Sequence, residues 1–169
     1  MTRILLLSDT HSYIDERILS YAQAADEIWH AGDIGSFEVT DALEKAGTLR
    51  AVYGNIDDHE MRSGFPETQY FECEKLRVLI THIAQYPGRY STSTKSLLQK
   101  HPCDLLISGH SHILKVAKDH KLGHLHLNPG AAGVYGFHQV RTALQFTVNS
   151  NKLEQLQVIE FGQRGALKA

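Results

Sequence analysis

Apolar runs in this chain repeatedly stop at residue types that bind metal ions. Ile4-Leu5-Leu6-Leu7-Ser8 runs into Asp9-Thr10-His11, and Glu27-Ile28-Trp29-His30 leads to Gly32-Asp33. Leu49-Arg50-Ala51-Val52-Tyr53 leads to Gly54-Asn55, Arg77-Val78-Leu79-Ile80-Thr81 ends at His82, and Leu105-Leu106-Ile107-Ser108 ends at Gly109-His110-Ser111-His112. In order, Asp9, His11, Asp33, Asn55, His82, His110 and His112 offer two carboxylates, a carboxamide and four imidazoles, with no thiolate among them. Such a set exceeds what one tetrahedral ion takes and suits two ions sharing a bridging carboxylate. Two divalent ions roughly 3.5–4 Å apart can hold a phosphoryl oxygen, generate hydroxide near neutral pH and stabilise the oxygen displaced in line. These residue types therefore point to hydrolysis of a phosphate ester.

Each residue alone has a plainer explanation. Asp9 could cap a backbone turn, Asp33 could cap the helix starting near Ser36, and Asn55 could be an ordinary turn residue. His82 could be a satisfied rim histidine, and His110 and His112 members of a His-rich loop. The metal reading fails only if all of these hold at once. A chain with 11 histidines but 2 methionines and 1 tryptophan also favours imidazole ligation over chance. His59, His101, His120 and His138 are expected on the surface, and His30 packed in the core at a strand end. His124 and His126 share one face of a strand by period-two alternation and stay outside the site.

The elements that position these residues follow from hydrophobic periodicity. Strands are expected at Arg3–Ser8, Glu27–Ala31 and Thr48–Tyr53. An amphipathic helix from about Asp15 carries Ile14, Ile18, Leu19, Ala22 and Ala25 at helical spacing. A second helix over Phe37–Lys45 takes Ser36 as N-cap and Gly47 as stop. This β-α-β-α-β order implies a parallel sheet covered by helices, with ligands at the carboxyl edge of its strands. A hairpin of Gln69–Glu72 and Leu76–Thr81 turns at Cys73-Glu74-Lys75, and a helix over Ser91–Lys100 is closed by Pro102. Beyond Ser108 the pattern is all strand: Leu114–Lys118, Leu122–Leu127, Thr142–Val148 and Leu153–Phe161. Their apolar alternation needs a partner surface. A second sheet packed on the first supplies it, giving a β-sandwich with helices on its outer faces. The tail from Gly162 carries no pattern and is expected to fray.

With 169 residues, no Pro/Gly/Ser linker and no internal repeat, the chain fits one domain spanning 1–169. A net charge of −2 with interspersed signs advertises neither a nucleic-acid footprint nor a membrane-binding face, and leaves room for a small phosphate-ester substrate. Ile4–Leu7 is shorter than a signal-peptide core, and no stretch approaches a membrane span, so a soluble cytoplasmic protein is expected. Cys73 and Cys103 form no closely spaced pair and are expected to be reduced packing residues. A homodimer is the default assembly for such a chain.

In order and approximate spacing, Asp9-Thr10-His11, Gly32-Asp33, Gly54-Asn55, His82 and Gly109-His110-Ser111-His112 resemble the signature blocks of the calcineurin-like metallophosphoesterase superfamily. The nearest likeness is to its small single-domain bacterial and archaeal phosphodiesterases, and it runs from about Arg3 to Phe161. The resemblance implies an α/β fold, a four-layer αββα sandwich of two mixed β-sheets flanked by helices. It also implies a binuclear site: Asp9, His11 and His112 on one ion, Asn55, His82 and His110 on the other, Asp33 bridging, and a hydroxide between the ions as nucleophile. Asp33, Asn55 and His82 would then carry catalytic roles as well as ligation. The two divalent metal ions are expected to be manganese, although oxygen and imidazole donors also accept Fe, Co, Ni or Zn. Two departures stand out. Many members follow the Gly-Asn pair with a histidine placed near the leaving-group oxygen; here the position is Ile56, which cannot donate a proton. Ile83-Ala84 also replaces the glycine that often follows the ligand corresponding to His82. The competing reading is a non-catalytic protein-interaction scaffold, the role of a retromer subunit of similar fold. A scaffold has no need of a complete ligand set.

Overall fold

In the computed structural model, which describes residues 1–165, strand and helix alternate through the first third of the chain. The order is β1 (Thr2–Leu7), α1 (Glu16–Ala24), β2 (Glu27–His30), α2 (Phe37–Ala46) and β3 (Thr48–Ala51). A short α3 (His59–Gly64) precedes the hairpin β4 (Thr68–Cys73) and β5 (Leu76–Thr81), and α4 (Thr92–Lys100) follows. The remainder is β6 (Leu105–Ile107), β7 (Leu114–Lys118), β8 (Leu125–Pro129), β9 (Val140–Asn149) and β10 (Lys152–Gln163). Two five-stranded mixed sheets result, ordered β10-β9-β1-β2-β3 and β4-β5-β6-β8-β7.

Strand β1 shows why the layers stack. It lies inside its sheet between β2 and β9, so both of its faces are buried and its sequence is a continuous apolar run. Ile4 and Leu6 point into the core between the sheets, with Val78, Ile80, Ile107 and Leu127 from the other side. Leu5 and Leu7 point the opposite way, against Ile18 and Ala22 of α1 and Val39 and Leu43 of α2. Leu79 and Leu106 on the far face of the second sheet pack with Leu98 of α4. The layers are therefore helix, sheet, sheet, helix. Trp29, fully buried, ties the sheets together through edge-on contacts with Phe71 of β4 and Phe146 of β9, at 5.2 and 5.7 Å between ring centroids.

Register decides where function can sit. β1, β2 and β3 are parallel and end level, with Leu7 opposite His30 and His30 opposite Ala51. In the second sheet Ile80 lies opposite Ile107, and Ile107 opposite Leu127, again in parallel pairs. All the ligand-bearing loops thus leave from strand carboxyl ends, and the two sheets present those ends to one another.

The structure departs from the sequence pattern in several places. β9 and β10 return to the first sheet instead of extending the second, because antiparallel pairing of β9 beside β1 sets Leu144, Phe146 and Val148 in the inter-sheet core. Leu122 is exposed in a turn and β8 begins only at Leu125, since Asp119 Oδ1 accepts the N–H groups of Lys121 and Leu122 at 2.9 Å each. α3 has no counterpart in the periodicity. It is shorter than two turns, and the Asp58 side chain starts it by accepting from Met61 N at 2.9 Å. Ser36 occupies the N-cap position of α2 but its side chain makes no capping bond. Gly162 and Gln163, placed in the fraying tail by pattern, belong to β10; residues 166–169 of that tail lie outside the described residues. β10 is an edge strand, and register shifts at Glu154/Gln157 and Glu160/Gly162 break its exposed ladder. Among the described residues, no helix is long and apolar enough to cross a membrane.

Candidate metal centre

Asp9, His11, Asp33, His110 and His112 all adopt positive φ, between 45° and 71°. The left-handed region costs an L-residue on the order of 1–2 kcal/mol, and such strain persists only where surrounding bonds over-determine the backbone. Here the loops lace one another. Asp9 N donates to Gly32 O at 3.0 Å, His11 N to Asp33 O at 3.1 Å, and Gly109 N to His82 O at 2.9 Å. Gly54 is required for a different reason: a Cβ there would stand 2.3 Å from Asp33 N and 2.1 Å from its Oδ1. Gly32 combines φ +101° with a Cβ position 2.6 Å from the ring of His82, so it serves both turn and approach.

The lacing brings all seven sequence-selected residues together, as two groups. In the first, Asp9 Oδ1 lies 3.2 Å from His112 Nε2 and 3.8 Å from His11 Nε2, and the two imidazole nitrogens are 3.3 Å apart. In the second, Asn55 Oδ1 lies 3.1 Å from His82 Nε2 and 2.9 Å from His110 Nδ1. Asp33 Oδ2 stands between the groups, 3.2 Å from His82 Nε2 and 3.6 Å from His11 Nε2. Asp9, His11, His112 and Asp33, His82, His110 each converge tightly enough to hold an ion. The fit can be tested on the spacings: bonds of about 2.0–2.2 Å in a tetrahedral or octahedral shell leave ligand atoms roughly 2.9–3.6 Å apart. Asp9 Oδ1 is buried without a hydrogen-bond partner, the state of a carboxylate oxygen meant for a cation. The donor types and these spacings, all but Asp9–His11 at 3.8 Å inside that range, fit divalent metal ions.

Supporting bonds fix which atom of each side chain points inward. His82 donates Nδ1–H to Ala31 O at 2.7 Å, which leaves Nε2 free to ligate. Asp9 Oδ2 accepts from Ser8 Oγ at 2.6 Å and His110 N at 3.1 Å, and Asp33 Oδ1 accepts from Ile56 N at 3.0 Å. Burial alone would favour the protonated acid at Asp9 and Asp33, but the imidazoles of His11 and His112, and of His82, hold both carboxyls below their ordinary range. Burial likewise disfavours charge on His82, yet the Asp33 contact and the Asp9 charge outweigh it and raise its pKa.

Three side chains outside the seven ligand-type residues hold this arrangement. Buried Asp57 accepts three backbone N–H groups, from Gly35 at 2.7 Å, Gly54 at 2.8 Å and Ile34 at 3.1 Å, and so joins the loop of Asp33 to the loop of Asn55. Buried Asn128 donates to Gly109 O at 2.9 Å and Ser111 Oγ at 3.2 Å, which positions the loop of His110 and His112. His138, expected on the surface, is half-buried with its ring centroid 5.2 Å from that of His112, and donates Nε2–H to Gly133 O at 2.8 Å. The expected core role of His30 is what the structure shows. Its Nε2–H donates to Thr10 Oγ1 at 2.9 Å, its Nδ1 accepts from Gly32 N at 3.1 Å, and burial pushes its pKa down to about 3. His124 and His126 lie outside the centre, bonded to Tyr90 and Ser108, and both cysteines are buried and free.

The description calcineurin-like phosphoesterase superfamily domain matches residues 2–151 of the chain. A protein of Methanothermobacter thermautotrophicus described as a probable metallophosphoesterase is 32% identical over 136 residues, 76% of each chain. Among solved structures, wild-type Vps29 from Entamoeba histolytica complexed with zinc has a TM-score of 0.73 at 18% identity, covering 96% of this chain and 99% of that one. An archaeal phosphodiesterase has a TM-score of 0.70 at 20% identity, with 94% and 99% covered. The chain belongs to the calcineurin-like phosphoesterase superfamily, and its fold is the four-layer sandwich that the sequence motifs implied. Membership makes a phosphate ester the substrate class and divalent metal ions the cofactor class.

Proposed function

We propose that this chain is a phosphodiesterase with a binuclear centre, in which Asp9, His11 and His112 hold one ion, Asn55, His82 and His110 the other, and Asp33 bridges. The observation that carries the reading is the position of Asp33 Oδ2, 3.6 Å from His11 Nε2 and 3.2 Å from His82 Nε2. When bound, two divalent ions supply the acidity that yields hydroxide at neutral pH and the positive charge that offsets the phosphoryl oxygens. The chain supplies the rest. Asp9 and Asp33 contribute anionic donors that burial keeps from bulk water, and the bond from His82 to Ala31 O presets the ligating tautomer. A groove of about 800 Å³ is lined by Asn55 and His82 together with Arg62, Ser91, Leu97 and Lys100, with room for an ester arm of a small substrate.

The direct test strips the chain with a chelator, reloads it with Mn²⁺, and measures release of nitrophenolate from bis(p-nitrophenyl) phosphate. Turnover restored by metal supports the enzyme. A metal-loaded, folded chain inert toward phosphate diesters and monoesters would leave the scaffold reading standing.

Ile56 makes a further prediction. Its side chain is 45% exposed beside Asn55 and offers no proton, so a leaving oxygen receives none from this position. Aryl diesters, whose phenoxide departs unprotonated, should be hydrolysed in preference to alkyl diesters. Ile56→His is expected to raise the alkyl-to-aryl rate ratio by at least about 10-fold, short of the roughly 100-fold or more that a fully positioned general acid contributes. An unchanged ratio in a well-folded variant would count against it.

A further inference from the structure

Exposed apolar side chains gather around the centre. Ile56 follows Asn55, Ile83 follows His82 and Ile113 follows His112, while Tyr135 and Phe137 stand on the segment 133–138 beside His11 and His112; all five are exposed. Water-facing side chains of this size are unremarkable singly, but a cluster beside a polar site marks a surface that something apolar covers.

Tyr135 is the member whose place is fixed by contact. Its ring centroid is 5.2 Å from that of His11 at an interplanar angle of 44°, yet the residue is 69% exposed. The loop is anchored to keep it there. Gly133 N donates to Asp9 O at 3.2 Å, and a Cβ on Gly133 would stand 2.4 Å from Thr10 O. Gly136, at φ +131°, passes so close to His112 that a Cβ would stand 2.2 Å from its Nδ1. The bond from His138 to Gly133 O closes the loop. One edge of the tyrosine ring therefore leans on a ligand while most of its surface stays open.

A separate observation says what should cover it. Three titratable side chains beside the centre are engaged: His30 is sealed between Thr10 and Gly32, His138 donates to Gly133 O, and Asp57 holds three backbone amides. A departing oxygen obtains no proton from them, which favours an aryloxide over an alkoxide. Geometry and leaving-group chemistry converge on the same group. Resting on the phosphodiesterase reading above, we infer that Tyr135 is a specificity residue whose ring stacks on a planar aromatic ester arm of the substrate. Aromatic side chains that stack on such rings do so through a shared flat face and need no hydrogen-bond readout.

The test uses the full chain loaded with Mn²⁺. Tyr135→Ala should raise KM for bis(p-nitrophenyl) phosphate about 10-fold, with the effect in KM and not in kcat. By titration calorimetry the same variant should lose a similar factor in phenylphosphonate affinity and none in methylphosphonate affinity, and Tyr135→Phe should restore both. Equal loss of the two phosphonates, or loss of bound metal, would make Tyr135 a prop for His11 and overturn the inference. So would a phenylalanine variant as impaired as the alanine one, which would assign the effect to the hydroxyl. If Tyr135→Ala matches the wild type on every measure while the wild type hydrolyses diesters, this inference alone fails. A wild type that hydrolyses no diester removes both.

Discussion

Asp33→Asn is expected to lower metal-dependent diester hydrolysis by about 1000-fold or more while leaving the fold intact. The substitution keeps the side chain's shape, and one orientation keeps an oxygen for Ile56 N, now 3.0 Å from Asp33 Oδ1. What changes is the other atom. Asp33 Oδ2 faces both His11 and His82, and an amide nitrogen in its place brings two hydrogens and no usable lone pair. Asp9 and Asp33 are the only carboxylates among the seven ligand-type residues, so the variant also halves the negative charge available to balance two divalent ions. Metal analysis should find less than two equivalents bound, with the tighter group retained. Fold is checked separately by thermal unfolding of the metal-free protein. There the variant should stay within about 1 kcal/mol of the wild type, because the lost attraction to His82 is offset by removing a buried charge. An Asp33→Asn protein that keeps two ions and wild-type turnover would refute the bridging role.

The seven residues that the loops bring together were legible because each lies within a few residues of a strand's carboxyl end. An apolar run that stops at Asp, Asn or His can be read without knowing which strands are neighbours, and the level register of β1, β2 and β3 then brings three of those endings to one edge. The groups that hold the ligands were not legible. Asp57 and Asn128 read as turn residues from their local bonds to Gly54 and Gly130, while the partners that matter lie 22 and 23 residues away for Asp57 and 19 for Asn128. His138 looked like a surface histidine because the fold of segment 133–138 over His112 depends on glycines at 133 and 136, whose role appears only against Thr10 and His112. The path of β9 was hidden for a related reason: its apolar alternation does not say which sheet it joins, and β9 pairs antiparallel with β1 on the side away from β2. The sequence thus exposes the chemistry and conceals the scaffolding that strains Asp9, His11, Asp33, His110 and His112 into place.

Asp57→Ala is expected to reveal that scaffolding, with a loss of about 3–5 kcal/mol in unfolding free energy. The carboxylate accepts from Gly35, Gly54 and Ile34 at 2.7, 2.8 and 3.1 Å, and it is 3% exposed, so water cannot easily replace it. Hydrogen bonds to a charged group contribute about 1.5–3 kcal/mol each, and three sharing one acceptor add less than their sum. Asp57→Asn separates charge from shape. Its single oxygen can keep the Ile34 and Gly54 amides that now share Oδ2, but its NH₂ group then faces Gly35 N–H, so roughly half of the alanine loss should remain. Both variants should also weaken metal binding by about 10–100-fold, since the tie between the loops of Asp33 and Asn55 is what keeps the two halves of the centre in register. Urea unfolding of the metal-free chain and metal titration measure the two effects independently. If Asp57→Ala unfolds within about 1 kcal/mol of the wild type and binds metal as tightly, the three amides are satisfied some other way. The left-handed backbone at Asp33 would then be held by the strand ends alone.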